Sequence, residues 1–421
     1  MLQRDRPTTE VRERGDSPPM LTIIHDNPIR GVDGLVTVDR KFLDGMARFV
    51  AAVGVPVTST HPVRSDMVAI DSLSVSAASL PFRLVGLATD GRGSYTTAAL
   101  AELDRLVRGS VLVVGSYIGG GLRMARAHGK PYVMAIEYDL ATQCKVAALA
   151  ARDPLRGFVR RLRVVRDYFT NQVADMRGAA EIHCNGFPVY EQAKRRNRHC
   201  LLYLDSRMSA DMVIDEARLM ARLAGAAARR PRVIFSGRYE AMKGALDFVR
   251  AAIACRRAGL DAEFVCYGQG SQAEAMRRTV AAAREQEAIR VEDAVPFAEL
   301  VERSRECDLF LACHVQSDPS CSYLEAMGCG LPVVGYANRM AAGVCADSGA
   351  GLVTPIGDLA ALVGAVCGAL GDRTRLAEWS VRARAYALEH CFEVEFAKRA
   401  SMIRARYDAA LGAPSTGLVP G

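Results

Sequence analysis

Arg232–Asp247 reads RVIFSGRYEAMKGALD, and Ser317–Gly335 reads SDPSCSYLEAMGCGLPVVG. In the first stretch a strand-length apolar run ends at Ser236, a turn begins at Gly237, and a helical pattern opens near Gly244. Arg238 and Lys243 flank that turn. Ligands of open α/β sheets sit off the carboxyl ends of strands. Two cations beside a glycine turn at such a place suit a diphosphate, Lys as a point charge and Arg as a fork. A solvated basic loop is the plain alternative. The second stretch follows a buried strand pattern, DLFLACH. Asp318 or Ser320 is placed to cap a short helix running from about Cys321 to Met327. The amides of Ser320, Cys321 and Ser322 would favour an anion at its start. Glu325, one turn in, can accept two hydrogen bonds from a ribose diol; its alternative is an ordinary surface position on the helix. Gly328, Gly330 and Pro332 then turn the chain into another buried strand.

Outward from these stretches, strand-length apolar runs alternate with helical patterns. Strands are expected at Leu21–His25, Arg83–Leu87, Val111–Gly115, Pro131–Glu137, Glu181–Cys184 and Leu201–Leu204 in the first half. In the second half they are expected at Arg232–Ser236, Glu263–Tyr267, Ala288–Val291, Leu309–Cys313, Pro332–Gly335 and Gly351–Val353. Several are continuous Val/Ile/Leu runs, which suit strands buried on both faces of a parallel sheet. Helical stretches such as Tyr95–Val107 and Gly244–Arg257 make these βα units, so the fold class is α/β, doubly wound. Asp215–Pro231 carries no strand pattern and is rich in Ala and Arg, which places a boundary there.

The order strand–GRxxxxKG–helix, then Gly268-Gln269-Gly270 after the next strand, then LEAMGCGLPVVG, resembles the retaining GT-B glycosyltransferases of glycosyltransferase family 4 (group 1). The resemblance covers residues 232–395, including GLVTPIGDLAALVGAV, and over residues 20–215 rests on strand order. It implies two Rossmann-like parallel-sheet domains with a cleft between them. The expected division is a tail at 1–19, an acceptor domain at 20–215, a linker at 216–231, a nucleotide-sugar domain at 232–391, a terminal helix crossing back at 392–412 and a tail at 413–421. It also implies that Gly237, Arg238, Lys243, Gly268 and Gln269 approach the donor diphosphate, with Ser320, Cys321 and Ser322, and that Glu325 binds the nucleotide ribose. The family pattern has a further glutamate eight residues before that one, at the sugar. Here Ser317 stands there, followed by Asp318, which is expected to replace it in part.

The first half offers less. Gly31 and Gly34 lie between the first strand and first helix, where a phosphate-approaching loop and an ordinary βα turn read alike. Where relatives of this family carry a histidine after a central strand, YVMAIEYD (Tyr132–Asp139) offers Glu137 and Asp139. Glu137 can orient an acceptor hydroxyl or take its proton, or face solvent; Asp139 equally suits a helix cap. VLVVGSYIGGG (Val111–Gly121) imitates a dinucleotide fingerprint, but it lacks GxGxxG and is not the first βα unit.

The 421 residues include 50% hydrophobic and 24% charged residues, a globular composition. No apolar run reaches the ~20 residues that span a bilayer, and the start lacks the apolar core of a signal peptide. Twelve cysteines without a CxxC pair, mostly inside apolar runs, point to a reducing cytoplasm. Of the net charge of +7, a balance of +6 falls in residues 151–200, which hold 11 Lys/Arg and 5 Asp/Glu. This is a local patch and not a nucleic-acid signature. Within it, Leu155, Phe158, Val159, Leu162, Val165 and Phe169 recur at helical spacing, with Arg156, Arg160, Arg161, Arg163 and Arg166 around them. The face either meets anionic lipid at the inner side of the membrane or packs its stripe on a sheet with the arginines in water. No DxD, HExxH or CxxC occurs, so no metal and no cofactor is expected, the nucleotide-diphospho-sugar being a substrate. The resulting expectation is a metal-independent retaining transferase acting on a glycan or lipid-linked acceptor, with Arg238, Lys243, Glu137 and Asp318 at the chemistry. A nucleotide-sugar epimerase and a non-catalytic subunit of a transferase are the alternatives.

Overall fold

The computed structural model describes residues 19–32, 35–64, 72–91, 93–149, 151 and 153–412. The tails expected at 1–19 and 413–421 lie, Pro19 apart, outside the described residues, as does Gly34. Contacts divide the chain into two compact units, Met1–Pro131 with Tyr407–Gly421, and Tyr132–Arg406.

In the first unit the strands are β1 (Met20–Ile24), β2 (Arg30–Val32), β3 (Leu35–Asp39), β4 (Val57–Val63), β5 (Ser72–Ser76), β6 (Arg83–Ala88) and β7 (Ser110–Gly115). The parallel order is β7-β1-β4-β6, and β2-β3-β5 form a separate antiparallel ribbon. The sequence did not reveal β4, which reads VTSTHPV. Its Thr58, Ser59, Thr60 and His61 are polar yet fully buried between β1 and β6. Three of the four find partners: the Thr58 hydroxyl donates to Met20 Sδ at 2.7 Å, the Ser59 hydroxyl bonds His61 Nε2 at 2.8 Å, and His61 Nδ1 bonds the Asn27 carbonyl at 3.0 Å. Pro62 sits beyond the residues paired with β1, and its carbonyl accepts from Ile29 N–H at 2.9 Å. The helix Arg40–Val53 follows β3, capped by the Asp39 carboxylate on Phe42 N–H.

The second unit holds β8 (Tyr132–Ile136), β9 (Glu181–Asn185) and β10 (Cys200–Tyr203), parallel in the order β10-β9-β8. It also holds a separate six-stranded parallel sheet. Its members are β11 (Arg232–Ser236), β12 (Glu263–Tyr267), β13 (Ile289–Glu292), β14 (Leu309–Ala312), β15 (Val333–Tyr336) and β16 (Gly351–Thr354). All six strands were legible within two residues. Their order, β13-β12-β11-β14-β15-β16, is the doubly wound 3-2-1-4-5-6 arrangement. Alternate residues enter two apolar layers: Val233 and Phe235 pack with Phe248 and Phe264 on one face, while Ile234, Val265 and Phe310 pack with Tyr323 on the other. That double burial explains the continuous apolar runs.

The contact division falls at Pro131, and the stretch 216–231 lies inside the second unit. Asp215 caps the helix Glu216–Gly225, and Arg222 from that helix donates to the carbonyls of Arg305, Cys329 and Gly330 at 2.9, 2.8 and 2.6 Å. A segment with no strand pattern is therefore pinned to the six-stranded sheet's own loops. The terminal helix Phe392–Ala410 reaches first-half residues: Arg399 stacks on Tyr203, Arg406 pairs with Glu181 at 2.9 Å, and Tyr407 donates to the Pro19 carbonyl.

The basic stretch forms the helix Pro154–Asp167, with Asp153 as its cap and a π-helical turn over Tyr168–Gln172. It packs on the helix Leu140–Leu149. Gly157 and Tyr168 are buried, but the apolar stripe is not: Leu155 is 71% and Phe169 60% exposed, and Phe158, Val159 and Leu162 are exposed as well. The alternative in which that stripe packs on a sheet therefore fails.

Candidate functional site

The doubly wound order reverses between β11 and β14, so the loops after those strands flank the switch point. After β11, the Gly237 N–H donates to the Tyr267 carbonyl at 3.1 Å, and Tyr239 N–H to the Gln269 carbonyl at 2.8 Å. The loops after β11 and β12 thus lie against each other, closely enough that a Cβ at Gly268 would stand 1.9 Å from the Gly237 oxygen. Gly244, at φ +64°, ends the first loop, and a Cβ there would stand 1.8 Å from the Cys313 carbonyl oxygen. Only glycine lets the helix Ala245–Arg257 start against the end of β14.

That close approach brings Lys243 inside. Its Nζ lies 2.7 Å from Asp318 Oδ2 and 3.3 Å from Ser320 Oγ, and both members of the ion pair are buried. Asp318 therefore does not cap the short helix, as the sequence suggested it or Ser320 would. The helix is Ser322–Gly328, its cap residue is Cys321, and no side chain caps it. Ser320 Oγ instead shares a hydrogen bond with Ser322 Oγ at 2.7 Å.

Around the ion pair lie buried polar atoms with no partner among the described residues: Asp318 Oδ1, His314 Nε2, and both amide atoms of Gln316. Each such atom costs about 1–3 kcal/mol unless a ligand or water meets it. Burial, reinforced by the Lys243 charge, holds His314 well below its ordinary pKa, so its ring is neutral. Asn338 donates to both the His314 carbonyl and Tyr323 Oη, at 2.9 and 3.0 Å. The Tyr323 hydrogen is then directed to His314 Nδ1, 2.9 Å away, which leaves the ring proton on Nε2 as an open donor. A buried lysine with a neutral N–H donor beside it suits phosphate or sugar oxygens.

Glu325 is buried and not a surface residue. Its Oε1 accepts from Arg207 Nε at 2.8 Å, and the Arg207 guanidinium lies 4.1 Å from the Phe297 ring centroid. Arg238 is exposed and has no ion pair among the described residues; Gln269 and Glu137 are exposed too. Glu137, Asp318 and Arg238 nevertheless converge on Tyr138. Burial pushes its hydroxyl pKa up, the two carboxylates add to that, and Arg238 opposes it.

Asp139 caps the helix Leu140–Leu149 by accepting from Thr142 N–H at 2.8 Å, and its other oxygen takes the Arg339 guanidinium. Arg339 N–H in turn donates to Ser317 Oγ at 3.0 Å. The serine at the position of the family's first glutamate is thus engaged at the start of the helix Arg339–Ser348. The sequence reading missed Arg207, Gln316 and Arg339. The two arginines act on carboxylates 118 and 200 residues away, a relation no local pattern carries.

Residues 230–372 match the protein family described as "Glycosyl transferases group 1". No curated protein sequence matches the chain. Among solved structures, sucrose-phosphate synthase from Thermosynechococcus elongatus is similar, with a TM-score of 0.62 at 17% identity over 93% of this chain and 100% of that one. HepE of Anabaena, solved with UDP, gives 0.61 at 12% identity over 91% and 99%. WaaG, a glycosyltransferase involved in lipopolysaccharide biosynthesis, gives 0.57 at 15% identity over 91% and 99%. At such identities the likeness concerns the fold. Residues 230–372 thus match the group 1 glycosyl transferases, and the chain shares the GT-B fold of these structures.

Proposed function

We propose that the chain transfers a sugar, with retention, from a nucleotide-diphospho-sugar to a glycan or lipid-linked acceptor, without a metal. The observation that carries this is the buried Lys243–Asp318 pair at the switch point, ringed by unpartnered polar atoms. Lys243 and Arg238 would neutralise the leaving diphosphate, and the amides near Ser320–Ser322 would add donors. His314, Gln316 and Asp318 would meet the sugar hydroxyls, and Glu325 the ribose. The bond from the anomeric carbon to the phosphate oxygen breaks as the acceptor oxygen bonds that carbon. The leaving phosphate takes the acceptor proton, so no protein nucleophile is needed. HepE structures contain UDP and UDP-glucose, which supports a nucleotide-sugar donor here.

A thermal-shift panel of UDP, GDP, ADP and their sugars tests the reading. The matching ligand at 100 times its dissociation constant adds about 2.7 kcal/mol of stability. Proton NMR of the transferred sugar then reads the anomeric outcome, and retention is expected. No stabilisation by any nucleotide would overturn the proposal, and an epimerised donor in the absence of acceptor would favour the epimerase.

The acceptor side includes a membrane in this reading. The helix Pro154–Asp167 presents exposed Leu155, Phe158, Leu162 and Phe169 with Arg156, Arg160, Arg161, Arg163 and Arg166 around them. Apolar groups at acyl depth and cations at headgroup level suit an anionic bilayer. Among the described residues no helix is long and apolar enough to cross one, so the contact would be peripheral, at the inner face. The free cysteines, most of them buried, accord with a reducing compartment.

A further inference from the structure

The first unit has its own switch point, and nothing assigned so far uses it. In the order β7-β1-β4-β6 the chain leaves β1 toward β4 and β6, then crosses to β7 on the other side. The register pairs Ile24 with Gly115, so the residues that follow β1 and β7 emerge side by side. Ser116 directly follows β7, and Asp26 is the second residue past β1. The Ser116 hydroxyl donates to Asp26 Oδ2 while its oxygen accepts from Ile118 N–H at 3.0 Å. This fixes the carboxyl group and leaves Oδ1 uncommitted among the described residues.

Gly119 and Tyr95 lie beside that oxygen. Gly119, at φ +72°, has no side chain; a Cβ there would stand 3.8 Å from Asp26 Oδ1, 3.4 Å from the Tyr95 ring and 3.7 Å from Tyr95 Oη. Tyr95 Oη has no hydrogen-bond partner among the described residues, and both side chains are half-buried. Burial pushes the Asp26 carboxyl pKa up, against the Ser116 hydrogen bond, and burial with the Asp26 charge pushes Tyr95 up. A ligand that donates to the carboxylate relieves both. A carboxylate oxygen only accepts, whereas a phenol both donates and accepts. An ammonium ion would satisfy the first and offer nothing to the Tyr95 hydrogen. Two neighbouring hydroxyls satisfy both.

We propose that Asp26 and Tyr95 bind a pair of adjacent hydroxyls of a saccharide, the acceptor in the transfer reaction, with Ser116 positioning the carboxylate. This rests on the transferase reading above, yet it concerns residues of the first unit only. The test is saturation-transfer NMR of the methyl glycosides of glucose, galactose and mannose with the full chain. At least one glycoside gives saturation transfer with the native protein. Asp26→Asn, which keeps the shape, and Tyr95→Phe each weaken its affinity by about tenfold or more, the equivalent of one hydrogen bond to a charged group. Nucleoside diphosphate affinity, measured separately in the same variants, confirms the folded state and stays unchanged. No saturation transfer from any of the three glycosides overturns the proposal, as does equal binding by Asp26→Asn. Either result leaves the nucleotide panel to decide the transferase reading by itself.

Discussion

Arg238 and Lys243 stand five residues apart and behave as different kinds of cation. Arg238 is exposed and unpaired among the described residues, so Arg238→Ala is expected to leave stability within about 0.5 kcal/mol. The same change weakens nucleoside diphosphate binding by about 1.5–3 kcal/mol, read by calorimetry. Lys243 is buried against Asp318. Lys243→Ala strands a carboxylate in the interior and is expected to cost about 3–5 kcal/mol of stability. Adding Asp318→Ala should recover most of that loss in urea denaturation while leaving nucleotide binding impaired. A third residue, His61, sets an acid limit. Its Nδ1 donates to the Asn27 carbonyl at 3.0 Å, its Nε2 accepts from Ser59, and burial lowers its pKa from 6.5 to about 4. The unfolded chain binds this proton near pH 6.5 and the folded one near 4. The stabilisation is therefore complete above pH 6.5 and is lost as the pH falls through that window, up to about 3 kcal/mol. Urea midpoints measured across the window should fall in the native protein and fall less in His61→Gln.

At the scale of elements, the helix Pro154–Asp167 carries its own prediction. Each arginine near an anionic surface contributes about 1 kcal/mol, and the exposed apolar stripe adds a part that salt does not screen. Co-sedimentation with phosphatidylserine vesicles should be strong at low ionic strength and reduced, not abolished, when salt shortens the Debye length to ~3 Å at 1 M. Replacing the five arginines by glutamine should remove the salt-sensitive part, and Phe158→Ser with Leu162→Ser the rest. No binding at low salt would sink the membrane reading. The period of this helix was plain in the chain, but which side it hides was not. Gly157, with no side chain, marks the packed face, and the large apolar residues that define the stripe lie on the free one. Strand β4 is the converse case, a polar stretch that is fully interior, with the Thr58 and Ser59 hydroxyls and the His61 imidazole hydrogen-bonded.

At the scale of the molecule, the second sheet was legible because strands buried on both faces admit few residue types. The loops after β11 and β14 could be singled out because a strand end, a glycine turn and charged residues are neighbours in the chain. Lys243 and Glu325 were singled out that way, and both are buried in ion pairs. Their partners Asp318 and Arg207 were not assigned to them, since ion pairing depends on which loops fold together. The Arg207–Glu325 bond joins the loop after β10 to the helix after β14. If the ribose of a donor takes Glu325, that tie is released. Occupancy should then loosen one part of the protein while tightening the rest. In hydrogen–deuterium exchange, amides of residues 204–209 are expected to exchange faster with nucleoside diphosphate bound, while those of residues 237–244 slow. Slower exchange in both would mean that the carboxylate serves nucleotide and arginine together. If a donor unfastens this strap as it docks, the effect would reach the timing of turnover: the same bond would re-form as the spent nucleotide departs, and its re-formation would help to expel the product.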